Sequence, residues 1–174
     1  MSDLFDQVSE DQDPFKKLAS KLPGFSGYIE RENRRAADKL LRESIADRYE
    51  MLWKKLSDLQ KDLASDGELD ALDELENAAM KIQTFKDKVR TAAYGNSGFF
   101  DAIKVNEEEL ARLYEYDLML LEQADEIERA IDNVETSIGE DGFPAAVSHL
   151  VSLSRDLVAA FESRSSVITS SESA

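Results

Sequence analysis

Residues 110–138 read LARLYEYDLMLLEQADEIERAIDNVETSI, with apolar side chains at 110, 113, 120, 124, 127, 131, 134 and 138. Asp117 alone interrupts this alternation of three- and four-residue steps. A repeat of period 3.5 held over this length draws one narrow apolar stripe along a long helix, and such a stripe is buried only against other helices. The remaining faces carry acid from Glu107 to Glu135, with Arg112 and Arg129 as the only offset. At Asp117 the stripe is read as rotating, so that Leu118 and Leu121 turn inward and the carboxylate stays in water. The alternative is a buried carboxylate that needs a partner and fixes register.

Outward from this stretch the same periodicity recurs. It predicts helices over about 28–63, 68–93, 106–138 and 143–162. Leu41, Ile45, Tyr49, Leu52, Leu56, Leu59 and Leu63 form the stripe of the first, and Leu69, Leu72, Leu75, Ala79, Ile82, Phe85 and Val89 that of the second. In the last helix the stripe is Val147, Leu150, Ser154, Leu157 and Phe161. Ser65-Asp66-Gly67 ends the first helix with a glycine suited to a left-handed cap. Tyr94 to Gly98 makes the next turn, followed by an apolar patch at Phe99, Phe100 and Ile103. Asn106 caps the third helix, and Glu107 to Glu109 then sit favourably against its dipole. Gly139 to Gly142 turns into a fourth helix that tolerates Pro144 in its first turn. The beginning of the first helix, IERENRRAADK (29–39), has few large apolar residues, so it is expected to pack loosely, to protrude, or to be covered by a partner.

The fold class expected is therefore all-α: an elongated antiparallel up-down-up-down four-helix bundle with coiled-coil-like seams, preceded by a short amphipathic helix. The unequal helices leave an overhang, because about 36 residues span about 54 Å and about 20 span only about 30 Å. By domain, 1–13 is an acidic tail read as disordered apart from a Leu4-Phe5-Val8 cluster, and 14–26 is the amphipathic helix with its turn. Residues 27–163 are the bundle, and 164–174 a serine-rich tail also read as disordered.

Composition limits function. The 174 residues carry a formal charge of −16, distributed as −5 over 1–15, +4 over 16–64 and −15 over 65–174. A field of that sign repels nucleic-acid phosphate over most of the surface, so no nucleic-acid partner is expected. No run of apolar residues is long enough to span a membrane, and the first residues lack the pattern of a secretory signal. There is no cysteine, hence no disulfide, thiol nucleophile or thiolate zinc site. A cytoplasmic setting is the expectation.

Chemical motifs are sparse. A di-metal carboxylate bundle needs Glu-x-x-His pairs, whereas the single histidine, His149, follows Ala146 and is read as a surface residue. The turn DLASDGELDALD (62–73) has the outline of a calcium loop, with Asp62, Asp66, Gly67, Glu68, Asp70 and Asp73 at the first, fifth, sixth, seventh, ninth and twelfth positions. Ala64 stands where an oxygen ligand belongs, and Asp73 replaces the usual long glutamate. Gly95-x-x-Gly98 has no lysine after it, and no nucleophile–base pair or phosphate loop appears. The chain is thus expected to be no enzyme, with no catalytic residue, no metal, no cofactor and no identifiable small-molecule substrate.

The remaining feature is PFKKLASKLPGF (14–25). Phe15, Leu18, Leu22 and Phe25 recur at helical spacing, with Lys16, Lys17 and Lys21 on the other faces. The basic start of the first long helix, with Arg31, Arg34, Arg35, Lys39 and Arg42, either continues this cationic face or pairs with the acidic flank of the third helix. Residues Phe15, Lys16, Lys17, Leu18, Lys21, Leu22, Phe25, Arg31, Arg34 and Arg35 are assigned to partner binding. The function expected is a non-enzymatic interaction or scaffold module that binds a protein partner or itself. The alternatives are a peripheral protein using the same segment weakly on an anionic membrane surface, and a calcium-responsive regulator through 62–73. Set against all of these is a simple structural role, in which 14–25 folds back over its own bundle.

Overall fold

The computed structural model describes residues 13–27, 34–91 and 107–169. The N-terminal tail with its Leu4-Phe5-Val8 cluster, Arg31, the turn and apolar patch over 94–103, the Asn106 cap and residues 170–174 lie outside the described residues. So do the side chains of Arg35, of 107–110 and of 164–169. Every regular element among the described residues is helical: α1 (Pro14–Lys21), α2 (Arg34–Asp66), α3 (Leu72–Thr91), α4 (Glu107–Thr136), α5 (Phe143–Arg155) and α6 (Leu157–Thr169).

Turn chemistry sets where the rods stop. Gly67 adopts φ +81°. Its N–H bonds to the carbonyl of Ala64 at 3.3 Å, and the N–H of Glu68 to that of Leu63 at 3.0 Å. This reciprocal pair satisfies carbonyls that the end of α2 leaves open. The next helix starts only at Leu72, so Leu69 falls out of phase in the turn and is 61 % exposed, against its assignment to the interior. Ala71 takes the buried place instead. Gly139, at φ +80°, ends α4 in a comparable way before Pro144 enters α5.

The core joins all six elements. The stripe of α2 from Leu41 to Leu63 is buried throughout, as are Leu75, Ala79, Ile82, Phe85 and Val89 of α3 and Leu120, Ala124, Ile127, Ile131 and Val134 of α4. Tyr49 and Phe85 meet with centroids 4.5 Å apart, and Phe161 sets its edge on Phe85 at 6.0 Å. The Tyr49 hydroxyl donates to the Leu120 carbonyl at 3.1 Å, and burial raises its pKa well above the ordinary phenol value. A phenol so placed stays neutral and ties α2 to α4.

Helix directions follow from the side chains that pair. Asp47 meets Arg90 at 2.8 Å and Glu50 meets Lys86 at 2.7 Å, while Gln60 meets Glu76 at 3.0 Å, so α2 and α3 run antiparallel. Arg48 reaches Asp125 and Glu128, and Lys55 reaches Glu128 and Asp132, so α2 and α4 lie side by side in the same direction. The α5–α6 rod packs on α3 and α4, which leaves α3 and α4, consecutive in sequence, across the core from one another. These contacts set the first and third long helices, which run the same way, side by side, so the neighbours in the bundle are not all antiparallel. Short glycine turns dictate two antiparallel hairpins, and the basic edge of α2 then selects the acidic edge of α4 as its neighbour.

Three further expectations change on packing grounds. Asp117 is fully buried, together with Leu118, Leu120 and Leu121. The stripe widens there rather than rotating, and α1 also packs on α4. The start of α2 does not protrude: Arg34, Ala37, Asp38 and Leu41 are buried, and Asp38 holds Arg42 at 2.9 Å one turn on. The serine-rich end is helical to Thr169, anchored by Leu157 and Phe161 with no Gly or Pro to stop it. Between α5 and α6 the path hitches at Asp156, next to Ser154, whose hydroxyl donates back to the Val151 carbonyl at 2.9 Å. Such back-bonding bends helices.

Candidate functional site

The segment Asp13–Gly27 is a closed local unit. The Asp13 carboxylate accepts the Phe15 N–H at 3.0 Å, which caps α1, and Pro14 sits in the first turn where no N–H is needed. At the other end the Leu22 N–H bonds to the Leu18 carbonyl at 3.0 Å before Pro23 halts the helix. Gly24, at φ +87°, turns the chain back, and the Phe25 N–H returns to the Leu22 carbonyl at 3.1 Å.

This geometry gathers Leu18, Leu22 and Phe25 on one side, where all three are buried in the common core. The seat is chiefly α4. Phe15, Phe25 and Tyr114 form a triangle of rings, with centroid distances of 5.2 Å for Phe15–Tyr114, 6.3 Å for Phe15–Phe25 and 6.4 Å for Phe25–Tyr114. Gly27, buried at φ +81°, closes that triangle. A Cβ there would lie 2.7 Å from the Tyr114 hydroxyl and 2.8 Å from the Phe15 ring, so the position excludes a side chain on steric as well as backbone grounds.

The edge of the seat is ionic. Lys21 Nζ lies 2.9 Å from Asp125, and Arg48 contacts the same carboxylate at 3.1 Å and also Glu128. Lys21 chiefly, then Arg48, holds the Asp125 carboxyl below its ordinary range, and Glu128 chiefly raises the Arg48 pKa. Beside these charges Leu22, Ser44 and Leu121 line a half-open cleft of about 300 Å³. Farther along, Lys55 pairs with Asp132, which is the main cause of its raised pKa.

The residues assigned to partner binding divide accordingly. Leu18, Leu22 and Phe25 contact the chain's own bundle, and Phe15 is half-buried on Tyr114. Lys16 and Lys17 face solvent, Lys21 is committed to Asp125, and Arg34 is buried at the start of α2. A single cationic face running from Lys16 to Arg35 is therefore not formed by the described residues. Tyr114, Gly27, Arg48 and Asp125 complete the site; Tyr114 and Gly27 carry no signal of their own in the sequence pattern, and Arg48 and Asp125 only their matching seven-residue separations from Lys55 and Asp132. Tyr114 lies one residue past the stripe member Leu113, a position that becomes buried only when a further element covers that flank.

Elsewhere, Asp62 to Asp66 complete the last turns of α2, and no three His, Asp or Glu side chains among the described residues converge as metal ligands. The calcium reading therefore has no geometry behind it. His149 is exposed, and no helix among the described residues is long and apolar enough to cross a membrane. Comparisons with family models, curated proteins and solved structures give no match to this chain.

Proposed function

We propose that this chain is a non-enzymatic protein-interaction module working by helix-in-groove docking, with α1 as the docking helix and the α2–α4 flank as its seat. In this reading α2, α3, α4 and the α5–α6 rod are an elongated four-helix scaffold with coiled-coil-like seams, and the chemistry of recognition lies in the added fifth element. One observation carries the proposal: Asp13–Gly27 has its own caps and turn, and no backbone hydrogen bond among the described residues ties it to the rest of the molecule. Among the described contacts it is held by side chains: Leu18, Leu22 and Phe25 at i, i+4 and i+7, the Phe15 ring on Tyr114, and the Lys21–Asp125 ion pair, which is the grammar of an amphipathic helix in a groove.

The anionic-membrane alternative draws on the same apolar face, which is already engaged in the described structure; within α1 it leaves Lys16 and Lys17 to meet lipid. Surface lysines without apolar insertion give weak anchoring. The test uses a full-length Leu18→Asp/Leu22→Asp variant, in which α1 leaves its seat. A labelled peptide of residues 13–27 is expected to bind that variant in fluorescence anisotropy, more weakly as salt rises, and to bind the wild-type chain at least tenfold less. No binding to a variant that keeps its helical circular dichroism would overturn the reading. Co-sedimentation of the wild-type chain with anionic vesicles would favour the membrane alternative.

A further inference from the structure

We infer that the occupant of this groove in trans is α1 of a second copy of the same chain, so that two molecules exchange Asp13–Gly27 reciprocally. This rests on the helix-in-groove reading above and names its partner.

Charge selects the occupant. The chain carries −16 overall and −15 over residues 65–174, so most of one molecule's surface repels another. Residues 14–25 run against that sign, with three lysines and no acid. Their seat supplies Asp125 and Glu128, with Lys21 meeting Asp125 at 2.9 Å. A basic element of an acidic molecule thus fits an acidic-edged site that every copy presents. Shape agrees, because each anchor that fills the groove within one molecule fills it identically from another. Gly27, seated against Tyr114 and Phe15, is the last residue of the exchanged unit. Exchange of an identical element creates no new contact and closes under twofold symmetry, so its cost is confined to release and association.

The experiment uses the unmodified full chain, light and 15N-labelled, mixed in equal amounts at high concentration and treated with a zero-length carbodiimide. That reagent converts a touching lysine–carboxylate pair into an amide. Mass spectrometry then scores the Lys21–Asp125 link by isotope. Reciprocal exchange predicts mixed-isotope links, rising toward about half of the total at high concentration and falling on dilution. The Lys55–Asp132 link between α2 and α4 should stay unmixed. Lys21–Asp125 links of one isotope only would overturn the exchange while leaving α1 on its own bundle, with the groove then open to another protein's helix. Absence of that link would overturn both the exchange and the docked site. Mixing at Lys55–Asp132 as well would show exchange of a whole hairpin or general association, and would equally refute a swap of α1 alone.

Discussion

Gly27 and Asp125 show how single positions hold the docked helix. At Gly27 the left-handed backbone and the 2.7 Å approach to Tyr114 act together. Gly27→Ala should therefore cost about 1–3 kcal/mol, from left-handed strain and overpacking, and the loss should fall on α1 docking rather than on the main core. Amide exchange along α1 against α2 would read that selectivity. Asp125 and Glu50 both have pKa values held below the ordinary carboxylate range, by Lys21 and Lys86 respectively as the leading causes. A depressed folded-state pKa adds stability above the unfolded value of about 4, and that stability drains away as pH falls through the folded value. Urea midpoints measured from pH 6 to pH 3 should drop in the acid range, and the drop should be shallower in Asp125→Asn/Glu50→Gln. In the interior, Phe85 is fully buried between Tyr49 and Phe161, and Phe85→Ala should cost about 3–5 kcal/mol in denaturant titrations.

At the scale of elements, the contrast lies between rods locked by long stripes and a two-turn helix held by a few anchors. Native-state hydrogen exchange should show α1 opening locally, with protection at Leu22 at least about 100-fold below that at Leu56 or Ile131, whose release requires global unfolding. Uniform protection would mean that α1 is an integral part of the core. The same contrast explains what the sequence makes legible. The stripes of α2 and α4 repeat often enough to set their own phase, so Leu41 to Leu63 and Leu120 to Val134 are readable as interior. Leu69 is misplaced by its spacing because a single glycine cap shifts the phase of the residues after it, and periodicity carries no record of that shift. Asp117 reads as wet, and is not, because its burial depends on the tertiary packing around α4, of which helical spacing carries no record. The amphipathic pattern of 14–25 announces a face to be covered, yet hydrophobic spacing says nothing about which surface covers it. Arg48 and Lys55 are overshadowed by the denser cluster at Arg31 to Arg42, although their seven-residue separation matches Asp125 and Asp132 across the interface.

For the whole molecule, the distribution of charge sets two opposite responses to salt. Self-repulsion in a chain of −16 weakens the compact state, and screening relieves it, so the global unfolding midpoint at pH 7 should rise between about 0.01 and 0.15 M salt. The seat of α1 is an attraction between a basic segment and an acidic edge, so its local protection should fall over the same range. A molecule in which both rose or both fell would not have its charges arranged as described. Adjacent parallel helices α2 and α4 belong to the same picture, since the ion pairs along their seam offset part of the repulsion that an acidic α4 would meet elsewhere.

The seating of α1 on α4 underlies all of this, and proton NMR of the full chain reads it directly. Nuclear Overhauser contacts should link the Phe15 ring to that of Tyr114 and the Gly27 Hα protons to both, in wild type and not in Leu18→Asp/Leu22→Asp. A folded wild-type chain with no Phe15–Tyr114 contact and with Gly27 at its random-coil shift would contradict the account.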